Sequence, residues 1–492
     1  MRDPAEDPTP SCPVWQTIRE AFETAYNNDE IMFLADLLGL KVPPRKAERV
    51  QLVCEAILGT GLDGPRLERL WARLDDTQQA AVSETLHGSA GFFDRGAFAA
   101  KYGALPVWQG KEDRWGRPTG PSLLALFLVR GDRYSGSRTI PRDLATRLKG
   151  FVPCPRKEQL QTLSEPSSPG EGPVVLRETE RAAQQELFGV LRLVDMGQVQ
   201  ISPATSRPSV KGVAAIVERL AGGDFYGPED EPKNKYSQRI GPIRAFAWPL
   251  LVQAAGLARA SGTRLALTPS GRKALSRPAP EVLREVWDAW LRNSSFDEFS
   301  RVDAIKGQSD RKRLTAVAGR RAVIDGVLRG CPPARWIEVD ELSRHMQASG
   351  AVFEVARDLG RLYISDAHYG SLSYAGFGGW SILQGRYLLA LLFEYAATLG
   401  LVDVAYTGPA DARDDFRENW GVDELEFLSR YDGLSCFRIN ALGAFVLGLS
   451  AGYEAAAPSD SSSGLLRVLP NLDVVTSGQT FDHGDEAFLA AF

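Results

Sequence analysis

The sequence predicts a mainly α-helical chain of several domains, with small β hairpins set among the helices. Three observations carry that expectation. Most segments place apolar residues three and four apart, the spacing of one helix face. The strand-like runs are short and are paired around turn residues. At 492 residues the chain is long enough for three to four domains, taking about 100–200 residues for each.

The elements follow in order. Residues 1–13, acidic and Pro-rich, read as a disordered tail and not as a signal peptide. Residues 14–160 read as a helical N-terminal domain. IREAFETAY, DEIMFLADLLGL, AERVQLVCEAILG and LERLWARL each carry the helical apolar spacing. Asp75-Asp76-Thr77 forms an N-cap cluster before DTQQAAVSETLH. FFDRGAFAAKYG and SLLALFLV continue the helical style, and IPRDLATRLKG closes it. LSEPSSPGEGPVV, within 161–175, is the clearest linker by composition.

Residues 176–295 change character. ERAAQQELFGVLRLVDMGQVQIS predicts a helix and a short strand. SVKGVAAIVERLAGG and IGPIRAFAWPLLVQAAGL predict two more helices, the last broken or kinked at Pro249. LARASGTRLAL then reads as a hairpin around Ser261-Gly262-Thr263, and Thr268-Pro269 opens another helix. Helices followed by a two-stranded wing form the winged-helix arrangement. The order recurs over 322–453: helices, then LGLVDVAY and LSCFRIN as strands, then ALGAFVLGL. An acidic insertion at 408–433 separates those two strands. Asp340 is an expected N-cap. Chance similarity among short helices and hairpins is the alternative to two diverged copies. EAAAPSDSSSG (454–464) reads as a linker and 465–492 as a small α+β piece.

Between the two copies, residues 296–321 form a basic connector. Ser300 to Arg321 holds seven bases (Arg301, Lys306, Arg311, Lys312, Arg313, Arg320, Arg321) against Asp303 and Asp310. The whole chain carries a formal charge of -5, so any attraction to phosphate has to come from a patch. Clustered cations of this kind neutralise a nucleic-acid backbone; a solvated charged loop is the other reading. Arg207 and Lys211, near the start of the helix after Ser209, form a second basic set. The insertion holds eight acids, among them Asp414, Asp415 and Glu418, against Arg413, Arg417 and Arg430. That balance repels phosphate and points the second copy towards a protein.

LTPSGRKAL, LFEYAATLGLVDV, FRINALGAFVL and LLRVLPNLDVVTSG resemble helicase-associated regions at the N-termini of bacterial XPB-type helicases, over roughly residues 180–492. The resemblance implies a DNA-contacting region beside a motor. No GxxxxGK[ST] loop occurs, so nothing here would cradle nucleotide phosphates as that motor does. The resemblance therefore implies an accessory chain working with a separate helicase, in DNA repair or anti-phage defence.

Other chemistry lacks support. The five cysteines are scattered without CxxC spacing, and the four histidines lie at least 23 residues apart. This fits a reducing cytoplasm and excludes a zinc finger. No G-x-S-x-G or EF-hand spacing occurs. Glu231-Pro232-Lys233 has a nuclease-like Glu-x-Lys spacing, but in a Pro-rich loop. Tyr369, Tyr374 and Phe377 lie in a Gly-rich loop where they either stack on bases or pack the loop down. The expectation is a non-catalytic, cytoplasmic DNA-binding subunit for duplex or single strands, without cofactor, metal or membrane contact. Its rivals are a protein-interaction scaffold and, third, a metal-dependent nuclease.

Overall fold

The computed structural model describes residues 15–41, 43–59, 65–88, 91–110, 120–132, 136–167, 173–232, 238–308, 314–374, 378–454, 466–468 and 474–476. The expected tail at 1–13 and linker at 454–464 lie outside or almost outside these residues. Helices dominate and the sheets are small. Among the described residues, no helix is long and apolar enough to cross a membrane. Two compact units emerge, one of Met1–Gln159 with Gln347–Gly350 and one of Leu160–Met346 with Ala351–Phe492.

Among the described residues, the first unit packs seven helices: α1 (Ile18–Ala25), α2 (Asn28–Leu37), α3 (Lys46–Leu58), α4 (Pro65–Trp71), α5 (Asp76–His87), α6 (Arg95–Tyr102) and α7 (Arg142–Leu148). Asn27 and Asp75 close capping boxes with Glu30 and Gln78, which satisfies the free N–H groups of a first helical turn. SLLALFLV departs from the helical expectation. Leu123–Leu126 is a single 3-10 turn, and the chain then enters β1 (Val129–Arg130), which pairs with β2 (Arg138–Thr139). All of Leu124–Val129 is buried, and an unbroken apolar run has no periodicity with which to choose between helix and strand.

In the second unit, β3 (Val175–Arg177) leads to α8 (Glu180–Asp195), α9 (Val210–Val217) and α10 (Arg244–Ala254). β4 (Ala258–Ser261) and β5 (Arg264–Leu267) form the expected hairpin, followed by α11 (Pro269–Ala274) and α12 (Ala279–Arg292). β6 (Ile305–Lys306) precedes α13 (Val317–Leu328), β7 (Trp336–Glu338) and α14 (Val339–Ser349), so Asp340 lies inside a helix and does not cap it. β8 (Tyr363–Ile364) pairs with β6. α15 (Arg386–Ala390) is extended at both ends by π-helical turns, Ser381–Gly385 and Leu391–Ala396. β9 (Val402–Tyr406), β10 (Leu434–Ile439) and α16 (Ala441–Val446) follow, and β11 (Leu466–Val468) pairs with β12 (Val474–Thr476). Of the break or kink expected at Pro249, there is no break: α10 continues through it. Its start is fixed by Asp224, which accepts from the N–H groups of Ile243, Arg244 and Ala245.

The two segments read as copies have several backbone features in common. Gly256 and Gly400 both stop a helix with positive φ, +67° and +74°, a conformation glycine adopts without strain. Leu257 N–H returns to Val252 O, and Leu401 N–H to Ala396 O. After each hairpin, Thr268 or Asn440 caps the next helix by accepting from the N–H of Gly271 or Gly443. In both hairpins the second strand also meets the segment that ends before the second helix. Gln200 bridges to Arg264, and β7 pairs with β10. The larger sheet runs β3-β9-β10-β7.

The expected linker flanks this sheet on both sides. Leu163 bridges to Trp336 at the β7 edge, and β3 pairs with β9 at the other. Residues 168–172 lie outside the described residues. One apolar core then runs from Ala183 to Leu447, with Trp248, Trp287 and Trp290 fully buried. Both copies contribute to it, because α12 packs on α8 and α10 as well as on α13 and α16.

Candidate nucleic-acid interface

The basic connector is an internal strap over much of its length. α13 begins at Val317, earlier than its composition suggests. Arg320, Arg321, Ile324, Asp325 and Leu328 consequently form one buried face. Arg321 is completely buried, and its Nε donates to Glu298 Oε1 at 2.6 Å. Its other nitrogens donate to the carbonyls of Trp290, Asn293 and Phe296, and it stacks 4.1 Å from the Trp290 ring centroid. Glu298 also accepts from Trp290 Nε1 and Tyr387 Oη at 2.9 Å each. Arg320 forks onto Asp297 at 3.0 and 2.7 Å. Arg301 pairs with the buried Glu394 at 3.1 Å, donates to Pro242 O, and stacks on Phe246. Burial opposes charge on these guanidiniums, yet Glu394, Asp297 and Glu298 outweigh it and hold all three above the ordinary arginine range.

The assignment of Arg301, Arg320 and Arg321 to phosphate is corrected accordingly: each is held inside by a carboxylate. Arg311, Lys312 and Arg313 lie outside the described residues. Lys306 is exposed, with Nζ donating to Asp303 O at 2.6 Å. Arg207 is half-buried and donates to Ser300 Oγ at 2.8 Å, whereas Lys211 is exposed in the first turn of α9. The two basic sets therefore leave Lys211 and Lys306 as their described exposed cations.

A different basic surface surrounds the first hairpin. Arg259 pairs with Ala266, and Ser261 with Arg264. Strand alternation thus puts Arg259 and Arg264 on one face as diagonal neighbours. Leu265 and Leu267 point into the core, which fixes that face outward. Arg272 and Lys273 are exposed on α11 immediately after it. Arg272 has one loose partner, Asp195 at 3.7 Å. The sequence holds a signal for this surface that a search for charge runs misses. From residue 232 to 280 there are nine bases and no acid, but they are spaced by apolar positions. Not all are available: Arg244 is buried on Glu186, and Arg277, at the surface, is paired with Glu285 at 2.7 and 2.8 Å.

None of the residues of α10 is exposed, which leaves this helix no surface for a contact. In the second copy, the acidic insertion is likewise more than a solvated loop. Asp415 forks onto the buried Arg386 at 2.6 Å, and Arg386 lies 2.9 Å from Asp432. Beside this cluster a cavity of about 180 Å³ is lined by Ser167, Glu338, Asp340, Arg413, Asp432 and Ser435. Among the described residues, no group of three or more His, Cys, Asp or Glu side chains is placed to hold a metal ion. Comparison with known proteins leaves this geometry without a relative: no family model, curated protein or solved structure matches the chain.

Proposed function

We propose that this chain is a non-catalytic nucleic-acid-binding subunit whose first copy grips backbone phosphate with its hairpin face. The observation that carries the reading is the acid-free stretch from 232 to 280, which leaves Arg259, Arg264, Arg272 and Lys273 exposed around one hairpin. Lys211 stands across Gln200 from that hairpin, because Ser209 N–H donates to Gln200 O and Gln200 bridges to Arg264. Helix, short strand, two helices and a wing are the parts of a winged-helix unit, and we read both copies in that way. With α10 buried, recognition falls to the wing and the helix ends. Such contacts position a duplex or a strand without reading its bases. This fits an accessory role beside a helicase encoded separately.

Anisotropy titration of labelled duplex and single-stranded DNA against the full chain, across salt concentrations, tests the reading. Neutralising about four phosphates gives a log–log salt slope near -4. Arg259→Glu with Arg264→Glu should weaken binding to all sequences alike and flatten that slope by about 2. Affinity that is undetectable at low salt, or indifferent to both substitutions, ends the proposal. A scaffold role has its own support in the second copy, whose acid-rich insertion is unsuited to phosphate.

A further inference from the structure

The insertion between β9 and β10 sorts its charges in a particular way. Arg413 and Arg430 turn inward, and Arg417, though exposed, is tied to an acid of the insertion itself. Arg413 reaches Asp340 at 2.6 Å and the carbonyls of Asp432 and Leu434. Arg417 holds Asp411 at 3.0 Å and Leu425 O at 2.7 Å. Arg430 is buried against Ile240 O and Asp303. Asp414, Glu418, Asp423 and Glu424 are left exposed.

Among these acids stands an aromatic platform. Trp420 is 47% exposed and Tyr369 58%, with ring centroids 5.4 Å apart. Tyr374, 46% exposed, donates from its hydroxyl to His368 O at 2.8 Å. The two loops that carry the rings are tied together, since Ser365 Oγ donates to Gly421 O at 2.6 Å. Asp366 accepts from the N–H groups of His368 and Tyr369 at 2.8 and 2.9 Å, which fixes the turn beneath them. The two loops are therefore tied together, while among the described residues the rings of Tyr369 and Trp420 stay 58% and 47% exposed.

An exposed aromatic face attracts apolar groups, nucleobases or cations. The flanking carboxylates decide among these. They repel a phosphate backbone and favour a cation over the ring, where attraction to the π face and to the acids adds. Two exposed cations of these loops already have acids: Arg417 holds Asp411 at 3.0 Å, and Arg361, in the turn before β8, has Asp358 at 3.5 Å. We propose that Tyr369 and Trp420, rimmed by Glu418, Asp423 and Glu424, dock an arginine- or lysine-rich segment of a partner protein. The site is independent of the hairpin face and stands or falls separately from it.

Anisotropy of a fluorescein-labelled peptide of alternating arginine and glycine, titrated with the full chain, tests this. A glutamate-for-arginine peptide and a labelled oligo(dT) serve as parallel probes. The basic peptide should bind saturably, and the acidic one should not. Trp420→Ala and Tyr369→Ala should each weaken binding about tenfold, the loss of one central aromatic anchor. Trp420→Phe, which keeps a ring, should restore most of it, and Arg259→Glu with Arg264→Glu should leave it unchanged. Melting curves confirm that each variant is folded. If the peptide fails to saturate, or binds folded Trp420→Ala and Tyr369→Ala as tightly as the parent, the proposal is overturned. Oligo(dT) binding that disappears with Trp420→Ala would overturn it too, by making the platform a seat for bases.

Discussion

Arg321 and Arg259 carry the same side chain to opposite ends. Arg321 sits fully buried on Glu298 with three backbone carbonyls around it. Removing either partner strands a charge in the core, so Arg321→Ala or Glu298→Ala should cost about 3–5 kcal/mol in urea denaturation. Arg259→Ala, at the surface, should stay within about 0.5 kcal/mol. The sequence alone could not separate them. A run of bases shows charge but not helix phase, and the start of α13 at Val317 decides which way Arg320 and Arg321 point. pH gives a second check at this scale. Burial would raise the Asp415 carboxyl, but its hydrogen bonds to Arg386 win and hold it below the ordinary aspartate range. A carboxyl lowered on folding contributes stability that is present above its unfolded value and lost as pH falls through the folded one. The stability gap between the parent and Asp415→Asn should therefore be constant near neutrality. It should shrink as pH falls below about 4, read from denaturation midpoints.

At the scale of elements, the repeat is the most legible feature of the sequence. Helix–Gly–strand–loop–strand–helix can be read twice because each step is forced by local chemistry: a glycine stop, a hairpin and a polar N-cap. Its tightest point is less visible. A Cβ on Gly271 would fall 2.1 Å from Leu257 O, and one on Gly443 would fall 1.9 Å from Leu401 O. Helix start and strand start touch there, backbone to backbone. Gly443→Ala and Gly271→Ala should each destabilise the unit by about 1–3 kcal/mol through overpacking. Gly408→Ala, with open space around it, is the neutral control. Thr268→Ala should cost about 1 kcal/mol through the lost cap. Equal losses at Gly408 and Gly443 would show that these positions are not close contacts. Elements without such local signals are not legible in the sequence, as SLLALFLV shows: six buried apolar residues in a row carry no period.

For the whole molecule, the distribution of the core matters more than the count of repeats. Composition suggested two domains joined by a connector, because Pro, Ser, Gly and charge mark loops wherever they occur. Sequence patterns do not report which loops are covered. Here the strap over 296–308 is clamped by Arg301 to Glu394 and by Glu298 to Arg321. α12 closes the first copy and also packs on α16 of the second. Trp287 shows the consequence at one bond: its Nε1 donates to Asp325 Oδ1 on α13 at 3.0 Å. A cut after residue 295 would expose Trp287, Trp290 and Val286 on one side, and on the other would take the indole donors of Trp290 and Trp287 from Glu298 and Asp325. Exposed apolar surface and lost hydrogen bonds to buried carboxylates act in the same direction. A fragment of residues 176–295 should therefore lack a cooperative thermal transition, while residues 160–454 should melt in one. A sharp, reversible transition in the shorter fragment, with dispersed amide resonances, would show that the copies are independent domains. In that case the buried strap would be a contact between finished folds and no part of a shared core.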